Sequence, residues 1–221
     1  MQRSTPPFRA DHVGSLLRPR EVKEARARRA TGEIDAGELK AVEDEAIRGL
    51  MKKQEEIGLN GITDGECRRS WWHYDFLGAL DGVQMVPVEH GIRFAGVETR
   101  AQAPRVIGKL GFGNHPMLDH FRFLKKHADT AHVVPKMTIP SPAVLHFRGG
   151  RKAISKDVYP DLDAFYEDLG KTYRKAVKAF YDAGCRYLQF DDIVWAYLCS
   201  QDELQKSRER GDNPDGLQKI Y

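Results

Sequence analysis

Apolar residues recur along this chain at intervals typical of helices, and each such stretch leads into a short run typical of a strand. The first helical stretch covers residues 35–58, and its apolar positions lie three or four residues apart: Leu39, Val42, Ala46 and Leu50. Asp35 and Glu38 have the spacing of a capping box at its start, and Gly58 suits its end. The pattern therefore predicts a helix that is followed by a minimal strand at residues 61–63.

A second helical stretch of the same kind covers residues 161–182. Its apolar positions again share one face: Leu162, Phe165, Leu169, Ala176 and Phe180. Gly184 suits the end of this helix, and the sequence RYLQF at residues 186–190 predicts a strand. Two more strands are predicted at residues 8–15 and 132–140, so helices and strands alternate over much of the chain.

The region between these units has a different pattern. Residues 83–110 alternate apolar and polar positions around His90 and Gly91, which predicts a β-ribbon. Strands that alternate with helices favour parallel βα units and an α/β fold. About four units are visible, whereas a complete (β/α)₈ barrel needs roughly 250 residues. Residues 1–221 are therefore predicted to form the amino-terminal part of one barrel domain, with the ribbon as an insertion near residues 83–110.

Composition narrows the class of protein. The chain has 221 residues, a formal net charge of +3 and 30% charged residues. Residues 18–32 are locally basic but suit a solvated helix face, so no nucleic-acid partner is predicted. No apolar run approaches the roughly 20 residues of a membrane span, and the start lacks the apolar core of a signal peptide. A cytoplasmic protein is therefore predicted, in which Cys67, Cys185 and Cys199 are reduced thiols.

Polar residues follow the predicted strands, where α/β folds gather their ligands. These residues are His12, Ser15, Asp64, Glu66, Ser141, Asp191 and Asp192. Glu66 and Asp191 are the candidates to hold a ligand ammonium or to act as a base. Gly14 allows the backbone beside Ser15 to approach a ligand carboxylate. Together these groups suit an amino acid zwitterion.

Other interpretations of the polar and aromatic residues remain open. Asp192 suits the N-cap of the next helix. His12 either points into the site or is a structural histidine, and Trp71 and Trp72 form either a wall for a flat ligand or ordinary packing. His115 is expected at the surface, because it lies in a polar stretch. No CxxC pair or HExxH motif is present, so no complete local metal site is visible.

Four segments occur in the order and spacing of a known family: FRADHVGSLLRP, GITDGECRRSWW, PKMTIPSPAVLHFRGG and YLQFDD. They resemble the cobalamin-independent methionine synthases, specifically the short single-barrel members that match the catalytic carboxyl-terminal half of the long enzymes. The resemblance covers residues 8–221. It implies a (β/α)₈ TIM barrel of the methionine synthase and uroporphyrinogen decarboxylase type, of which about the first half is present.

The resemblance also implies an activity and roles for particular residues. The family transfers a methyl group from a methyltetrahydrofolate to the thiol of homocysteine, and zinc holds that thiol as thiolate. The segment Val13-Gly14-Ser15 resembles the family's Ile-Gly-Ser segment, which holds the amino acid substrate. Glu66 resembles its homocysteine-binding glutamate, and Asp191 resembles the aspartate of its Asp-Glu-Pro-Ala segment.

This sequence departs from the family in three places. Asp192-Ile193 stands where the family has Glu-Pro. The region of the folate-stacking tryptophan reads AVLHFRGG, and His146 there is a candidate to line the site together with His12, Trp71 and Trp72. The family's zinc ligands correspond to positions beyond residue 221. No metal ligand is therefore predicted within this chain, and the chain alone is expected to be inactive.

Alternative functions follow from the same residues. A related zinc-dependent thiol alkyltransferase would use coenzyme M as acceptor or a corrinoid protein as donor. A half-barrel without catalysis would bind an amino acid or a partner, since its exposed strand edges favour association. An unrelated barrel lyase, similar to uroporphyrinogen decarboxylase, would need no zinc. The expected partners are a small thiol substrate and either a second copy of the chain or a complementing carboxyl-terminal half.

Overall fold

The computed structural model of the protein describes residues 5–89, 91, 93–94, 97–98, 101–128, 132–147 and 149–221. The chain forms two compact units. The first unit consists of Met1–Trp72, Pro116–Thr138 and Ala179–Gln189, and the second consists of His73–His115, Ile139–Lys178 and Phe190–Tyr221. Each unit is therefore built from segments that lie far apart in the sequence.

The described residues contain both helices and strands, which alternate in only part of the chain. The helices are α1 (Arg20–Ala30), α2 (Ala36–Glu56), α3 (Tyr74–Leu77), α4 (Pro116–His127), α5 (Ala143–Phe147), α6 (Leu162–Asp182), α7 (Val194–Leu198), α8 (Gln201–Glu209) and α9 (Pro214–Ile220). The strands are β1 (Gly61–Ile62), β2 (Asp81–Pro87), β3 (Arg93–Phe94), β4 (Val97–Glu98), β5 (Gln102–Gly111), β6 (Val134–Pro140) and β7 (Tyr187–Asp191). A short 3₁₀ helix covers Gly150–Ala153.

The long helix α2 begins and ends where the sequence predicts. The Asp35 carboxylate accepts a hydrogen bond from the Glu38 N–H at 2.8 Å, and the Glu38 carboxylate accepts one from the Asp35 N–H at 2.8 Å. The predicted capping box is confirmed, and it satisfies amides that the helix itself leaves open. Gly58 then takes a φ of +85°, which ends the helix as predicted.

The strands β1, β6 and β7 form a sheet in that order. β1 runs parallel to β6, with Gly61 opposite Val134. These strands confirm the predictions at residues 61–63, 132–140 and 186–190, because each predicted run overlaps an observed strand, although β7 extends one residue further, to Asp191. Parallel pairing is the arrangement that alternating helices and strands favour.

The predicted strand at residues 8–15 is wrong. This segment lies beside β1, but side chains supply most of its contacts. The Thr63 hydroxyl donates to the Gly14 carbonyl at 2.7 Å, and a backbone hydrogen bond joins the Leu16 N–H to the Gly65 carbonyl at 3.1 Å. Gly14 has a φ of +127°, which is outside the range of a strand ladder.

An antiparallel ribbon belongs to the second unit. β2 pairs with β5, with Val83 opposite Val106, and a register shift lies between Asp81 and Val83. The short strands β3 and β4 pair between them in sequence. His90, near the predicted centre of this ribbon, lies outside the described residues.

The sheets in the described part of the chain have three, two and two strands, and none of them closes into a barrel. The structure therefore shows an α/β fold, while the TIM barrel stays a prediction. Among the helices of the described ranges, none is both long enough and apolar enough to cross a bilayer.

The surface position predicted for His115 is wrong. Its side chain is only 1% exposed. The imidazole stacks on the Phe112 ring with 5.0 Å between centroids, and its Nε2 lies 3.0 Å from the Phe76 carbonyl oxygen. The polar residues around His115 in the sequence suggest an exposed position, but its ring packs against aromatic side chains.

Candidate functional site

Glu66 lies in a tight turn directly after β1 and is 3% exposed. Its φ is +58°, a backbone conformation that few non-glycine residues adopt. The Asp64 carboxylate accepts the Glu66 N–H at 2.9 Å, and the Arg69 N–H donates to the Glu66 carbonyl at 3.0 Å. The turn is therefore held on both sides of Glu66 by hydrogen bonds.

One oxygen of the Glu66 carboxylate accepts two hydrogen bonds. Arg69 Nη1 lies 3.1 Å from Oε1, and the Thr138 hydroxyl lies 3.3 Å from the same atom. Arg69 is only 2% exposed, and its Nη2 donates to the Thr138 carbonyl at 2.6 Å. The carboxylate is thus fixed between the turn after β1 and the strand β6.

Two arginines from the amino-terminal region hold the same turn through its carbonyl groups. Arg18 Nη2 donates to the Arg69 carbonyl at 2.7 Å and to the Glu66 carbonyl at 3.3 Å. Arg26 donates to the Arg69 carbonyl at 2.8 Å and also to the Cys67 carbonyl. Hydrogen bonds from charged donors are stronger than those between neutral groups, so they make this turn rigid.

The residues before the turn are fixed by α2. Gln54 Oε1 accepts the Thr63 N–H at 3.0 Å, and Gln54 Nε2 donates to the Thr63 carbonyl at 2.9 Å. The Gln54 side chain thus bonds both backbone polar groups of Thr63, as a neighbouring strand would. The end of β1 keeps its direction even though the strand has only two residues.

The predicted segment Val13-Gly14-Ser15 lies in the same unit as Glu66. Gly14 is buried, and a Cβ atom built on it would stand 3.0 Å from Thr138 Cγ2 and 3.3 Å from Thr63 Cγ2. The residues on either side of Gly14 are exposed. Because Thr138 contacts both Gly14 and Glu66, the structure brings the predicted backbone segment and the predicted carboxylate together.

His12 lies beside the first residue of β1, where its Nε2 is 3.2 Å from the Gly61 carbonyl oxygen. Next to it, the fully buried ammonium of Lys136 contacts the two carboxylate oxygens of Asp11 at 3.0 and 3.2 Å. Burial opposes ionisation of Asp11, but hydrogen bonds from Tyr187 and Lys136 lower its pKa below the usual value. This ion pair joins the segment to the sheet, and the site-lining role of His12 stays a prediction.

Trp71 and Trp72 follow the turn and are half-buried. The Trp72 carbonyl accepts a hydrogen bond from Arg69 Nη1 at 3.3 Å, which ties this residue to the Glu66 network. Cys67 is fully buried, and burial raises the pKa of its thiol to about 11. A thiol with such a pKa is protonated at neutral pH and is a poor nucleophile.

Asp191 and Asp192 belong to the second unit. The Asp191 carbonyl accepts the Ser141 N–H at 2.9 Å. The Asp192 carboxylate accepts the Val194 N–H at 2.7 Å, but the N-cap of α7 is Ile193, so the predicted N-cap position is wrong by one residue. The Asp191 side chain is half-buried, and its role in ligand binding stays a prediction.

His146 also belongs to the second unit and is 1% exposed. Its Nδ1 is hydrogen-bonded to the Tyr221 hydroxyl, and Tyr166 packs edge-on against the ring at 5.3 Å between centroids. Burial lowers the pKa of His146 to about 4, so the imidazole is neutral at physiological pH. Its predicted role as a site-lining residue stays a prediction.

Within the described ranges, no group of three or more histidine, cysteine, aspartate or glutamate residues could hold a metal ion. The zinc that the resemblance implies therefore has no set of ligands among these residues.

Sequence reasoning missed three residues that shape the candidate site: Gln54, Arg69 and Thr138. Arg69 stands three residues after Glu66 in a turn, a spacing that does reveal a local ion pair. Thr138 is 72 residues from Glu66, and no local pattern links them. Gln54 lies on the helical face that packs towards the sheet, where a polar residue signals a buried hydrogen bond.

Comparison with known proteins adds a family. The model of the family described as cobalamin-independent synthase, catalytic domain, matches residues 8–209. The uncharacterized protein YxjG of Bacillus subtilis is 48% identical over 222 residues, which cover 100% of this chain and 57% of that protein. The methionine synthase of Sulfolobus acidocaldarius is 25% identical over 194 residues, which cover 83% of this chain and 54% of that protein.

A solved structure is similar over nearly the whole chain. It comes from Listeria monocytogenes and is provisionally named a vitamin-B12 independent methionine synthase. The match has a TM-score of 0.80 and 43% identity, and it covers 99% of this chain and 60% of that one. The chain thus spans somewhat more than half the length of the relatives it matches.

Proposed function

The chain belongs to the family of cobalamin-independent synthase catalytic domains, and we propose that it forms the amino-acid-binding part of an enzyme that methylates homocysteine to methionine. The methyl donor in this proposal is a methyltetrahydrofolate. The proposal is supported by the family match and by the names of the relatives from Sulfolobus and Listeria. The methylation reaction is proposed for the whole protein. Within it, the residues of this chain would bind and orient the acceptor, homocysteine.

The observation that carries the proposal is the fixed carboxylate of Glu66. A buried carboxylate held on one oxygen by Arg69 and Thr138 is organised to accept further hydrogen bonds in a set direction. A carboxylate binds an ammonium group through charge-assisted hydrogen bonds, in addition to its bond with Arg69. Glu66 would therefore bind the α-ammonium of homocysteine.

The segment around Gly14 would bind the other end of the amino acid, its α-carboxylate. Its backbone lies against Thr138, which also contacts Glu66. An exposed Ser15 beside a buried glycine offers N–H and hydroxyl donors to the α-carboxylate of an amino acid. The two ends of the zwitterion would then be held apart, which leaves the thiol side chain to point away from both.

Asp191 remains a proposed second acceptor for the ammonium. A TIM barrel for the intact protein, a homodimer and a complementing carboxyl-terminal half also remain proposals. In the reaction, the thiolate sulfur would attack the methyl carbon, the bond from that carbon to the folate nitrogen would break, and that nitrogen would take up a proton. Zinc, when bound elsewhere in the intact protein, would stabilise the thiolate.

Calorimetric titration of the 221-residue chain with L-homocysteine tests the binding part of the proposal. We expect saturable binding that Glu66→Gln weakens at least about 10-fold, since a charge-assisted hydrogen bond contributes roughly 1.5–3 kcal/mol. Glu56→Gln is the matched control, because Glu56 lies on the exposed face of α2 with a side chain that is 61% exposed. Equal affinity in the wild type and Glu66→Gln would refute the assignment.

The same titration separates the alternatives. Coenzyme M carries a thiol and a sulfonate but no ammonium, so we expect it to bind more weakly than homocysteine. Equal or tighter binding of coenzyme M would favour a different thiol alkyltransferase. Methionine formation from homocysteine and methyltetrahydrofolate by the intact protein that contains this chain tests the catalytic part of the proposal.

A further inference from the structure

Arg69 is one of the largest fully buried side chains described, yet it carries a positive charge. A guanidinium removed from water costs several kcal/mol unless an opposite charge and good acceptors surround it. Among the described residues, the ion pair of Arg69 is with Glu66. Its remaining hydrogen bonds go to neutral acceptors, which are the Trp72 and Thr138 carbonyls and the Met137 sulfur. The placement of this cation is therefore tied to one carboxylate.

The geometry of Arg69 spans two segments. Nη1 reaches Glu66 Oε1 in the turn after β1, while Nη2 reaches the Thr138 carbonyl on β6 at 2.6 Å. Arginine presents these donors in a rigid plane, so the guanidinium sets both distances at once. The Thr138 hydroxyl adds a second bond to the same carboxylate oxygen.

The backbone conformation of Glu66 explains why the turn needs the hydrogen bonds from Arg69 and Thr138. Its φ of +58° is a conformation that costs a non-glycine residue energy. Gly65, immediately before it, also has a positive φ of +65°. A turn with two successive residues in this region can relax to other conformations unless side chains hold it.

From this geometry we propose that Arg69 is a positioning residue, which with Thr138 fixes the Glu66 carboxylate in the orientation that receives a ligand ammonium. Arg69 does not touch the ligand itself. This inference rests on the proposed role of Glu66, and it adds that recognition of the ammonium depends on a residue that the ligand never contacts.

The first test compares two ligands in Arg69→Lys. Lysine keeps the charge but cannot bond Glu66 and the Thr138 carbonyl through a rigid fork. We expect affinity for L-homocysteine to fall about 10-fold, while affinity for 4-sulfanylbutanoic acid, which lacks the ammonium, changes less than about 2-fold. Arg48→Lys, on the exposed face of α2, is the matched control. Equal losses for both ligands would show a general structural role and overturn the proposal.

A double-variant cycle gives the second readout. Once Glu66→Gln has removed the charged acceptor, adding Arg69→Lys should cost no further affinity for homocysteine. Losses that simply add would mean that the two residues act independently, against the proposal. Thr138→Val removes the second hydrogen-bond donor to Glu66 with little change of shape. We expect it to weaken homocysteine binding less than Arg69→Lys does, and again to affect homocysteine more than 4-sulfanylbutanoic acid. It keeps the test informative if Arg69→Lys does not fold.

A ligand-free measurement separates this inference from the proposed function. Crystal structures of the wild type and of Thr138→Val and Arg69→Lys report the Glu66 side chain directly. We expect the carboxylate to leave its wild-type rotamer in Arg69→Lys. An unmoved carboxylate would overturn the positioning role even if homocysteine binds. A displaced carboxylate in a chain that binds no homocysteine would support positioning and refute the proposed function alone.

Discussion

Gly14 packs so closely against Thr138 that a Cβ atom on residue 14 would stand 3.0 Å from the threonine Cγ2. Gly14 also has a φ of +127°, which L side chains rarely adopt. Gly14→Ala therefore combines backbone strain with a steric clash at a rigid position. We expect it to lower the free energy of unfolding by about 2–3 kcal/mol in urea denaturation.

Gly49→Ala is the matched control for this substitution. Gly49 lies within α2, and a Cβ atom added to it would meet no atom within 4 Å beyond the backbone of its own helix. Alanine there should raise stability by about 0.5–1 kcal/mol, because glycine is a poor helix former. If Gly14→Ala were as stable as the wild type, this would contradict the close packing of residue 14 against Thr138.

His146 is expected to make stability depend on pH. Burial lowers its pKa to about 4, while nearby Asp212 opposes and Arg210 and Arg151 reinforce the shift. The unfolded chain, with a histidine pKa near 6.5, binds the proton more readily than the folded chain. The native state should therefore lose stability as pH falls from about 6.5 towards 4, by up to about 3 kcal/mol, and show no effect of this group above pH 7.

The comparison of wild type with His146→Gln isolates this contribution from the carboxylates, which titrate in both proteins. Urea denaturation at several pH values between 4.5 and 7.5 measures it. We expect the free energy of unfolding of the wild type to fall, relative to that of His146→Gln, as the pH is lowered over this range. A difference that is constant with pH would contradict a buried neutral imidazole.

The three cysteines should differ sharply in reactivity. Cys199 is exposed, while burial raises the pKa of Cys67 to about 11 and also raises that of Cys185. Ellman's reagent at pH 8 should therefore label one thiol rapidly in the folded chain and all three after denaturation. Cys199→Ser should remove the rapid phase. Rapid labelling that survives in this variant would contradict the burial of the other two.

The start of α2 offers a test of local energetics. Asp35→Ala removes the side chain that accepts the Glu38 N–H, so we expect stability to fall by about 1 kcal/mol. Glu38→Gln keeps a side chain that suits the same capping box and should stay within about 0.5 kcal/mol of the wild type. Thermal unfolding followed by circular dichroism measures both. Equal losses in the two variants would mean that charge, rather than the cap, stabilises this end.

The helices α2 and α6 could be predicted from the sequence, because each has its apolar residues on one face. Each is also followed, two residues after its last residue, by a glycine with a positive φ. Gly58 and Gly184 mark those ends. The candidate carboxylate Glu66 could also be named in advance, since it follows a strand pattern directly. Local periodicity thus identifies elements and the residues that terminate them.

The residues that orient the site could not be found in the same way. Thr138 lies far from Glu66 in sequence, and its contact with the carboxylate depends on how β6 runs beside β1. The segment at residues 8–15 has a strand-like pattern, yet side chains such as Thr63 replace the ladder. His115 stands among polar residues but packs against Phe76, which is 39 residues away. In each case a contact distant in sequence decides the outcome.

The ion pair between Asp11 and Lys136 has a consequence for the order in which the chain assembles, because the two residues stand 125 positions apart. At a synthesis rate of about 5–20 residues per second, Asp11 waits roughly 6–25 s for its partner to be made. Thr138, which fixes Gly14 and Glu66, follows only two residues later. The first residues of the candidate site to leave the ribosome therefore acquire their final neighbours only after β6 has been synthesised.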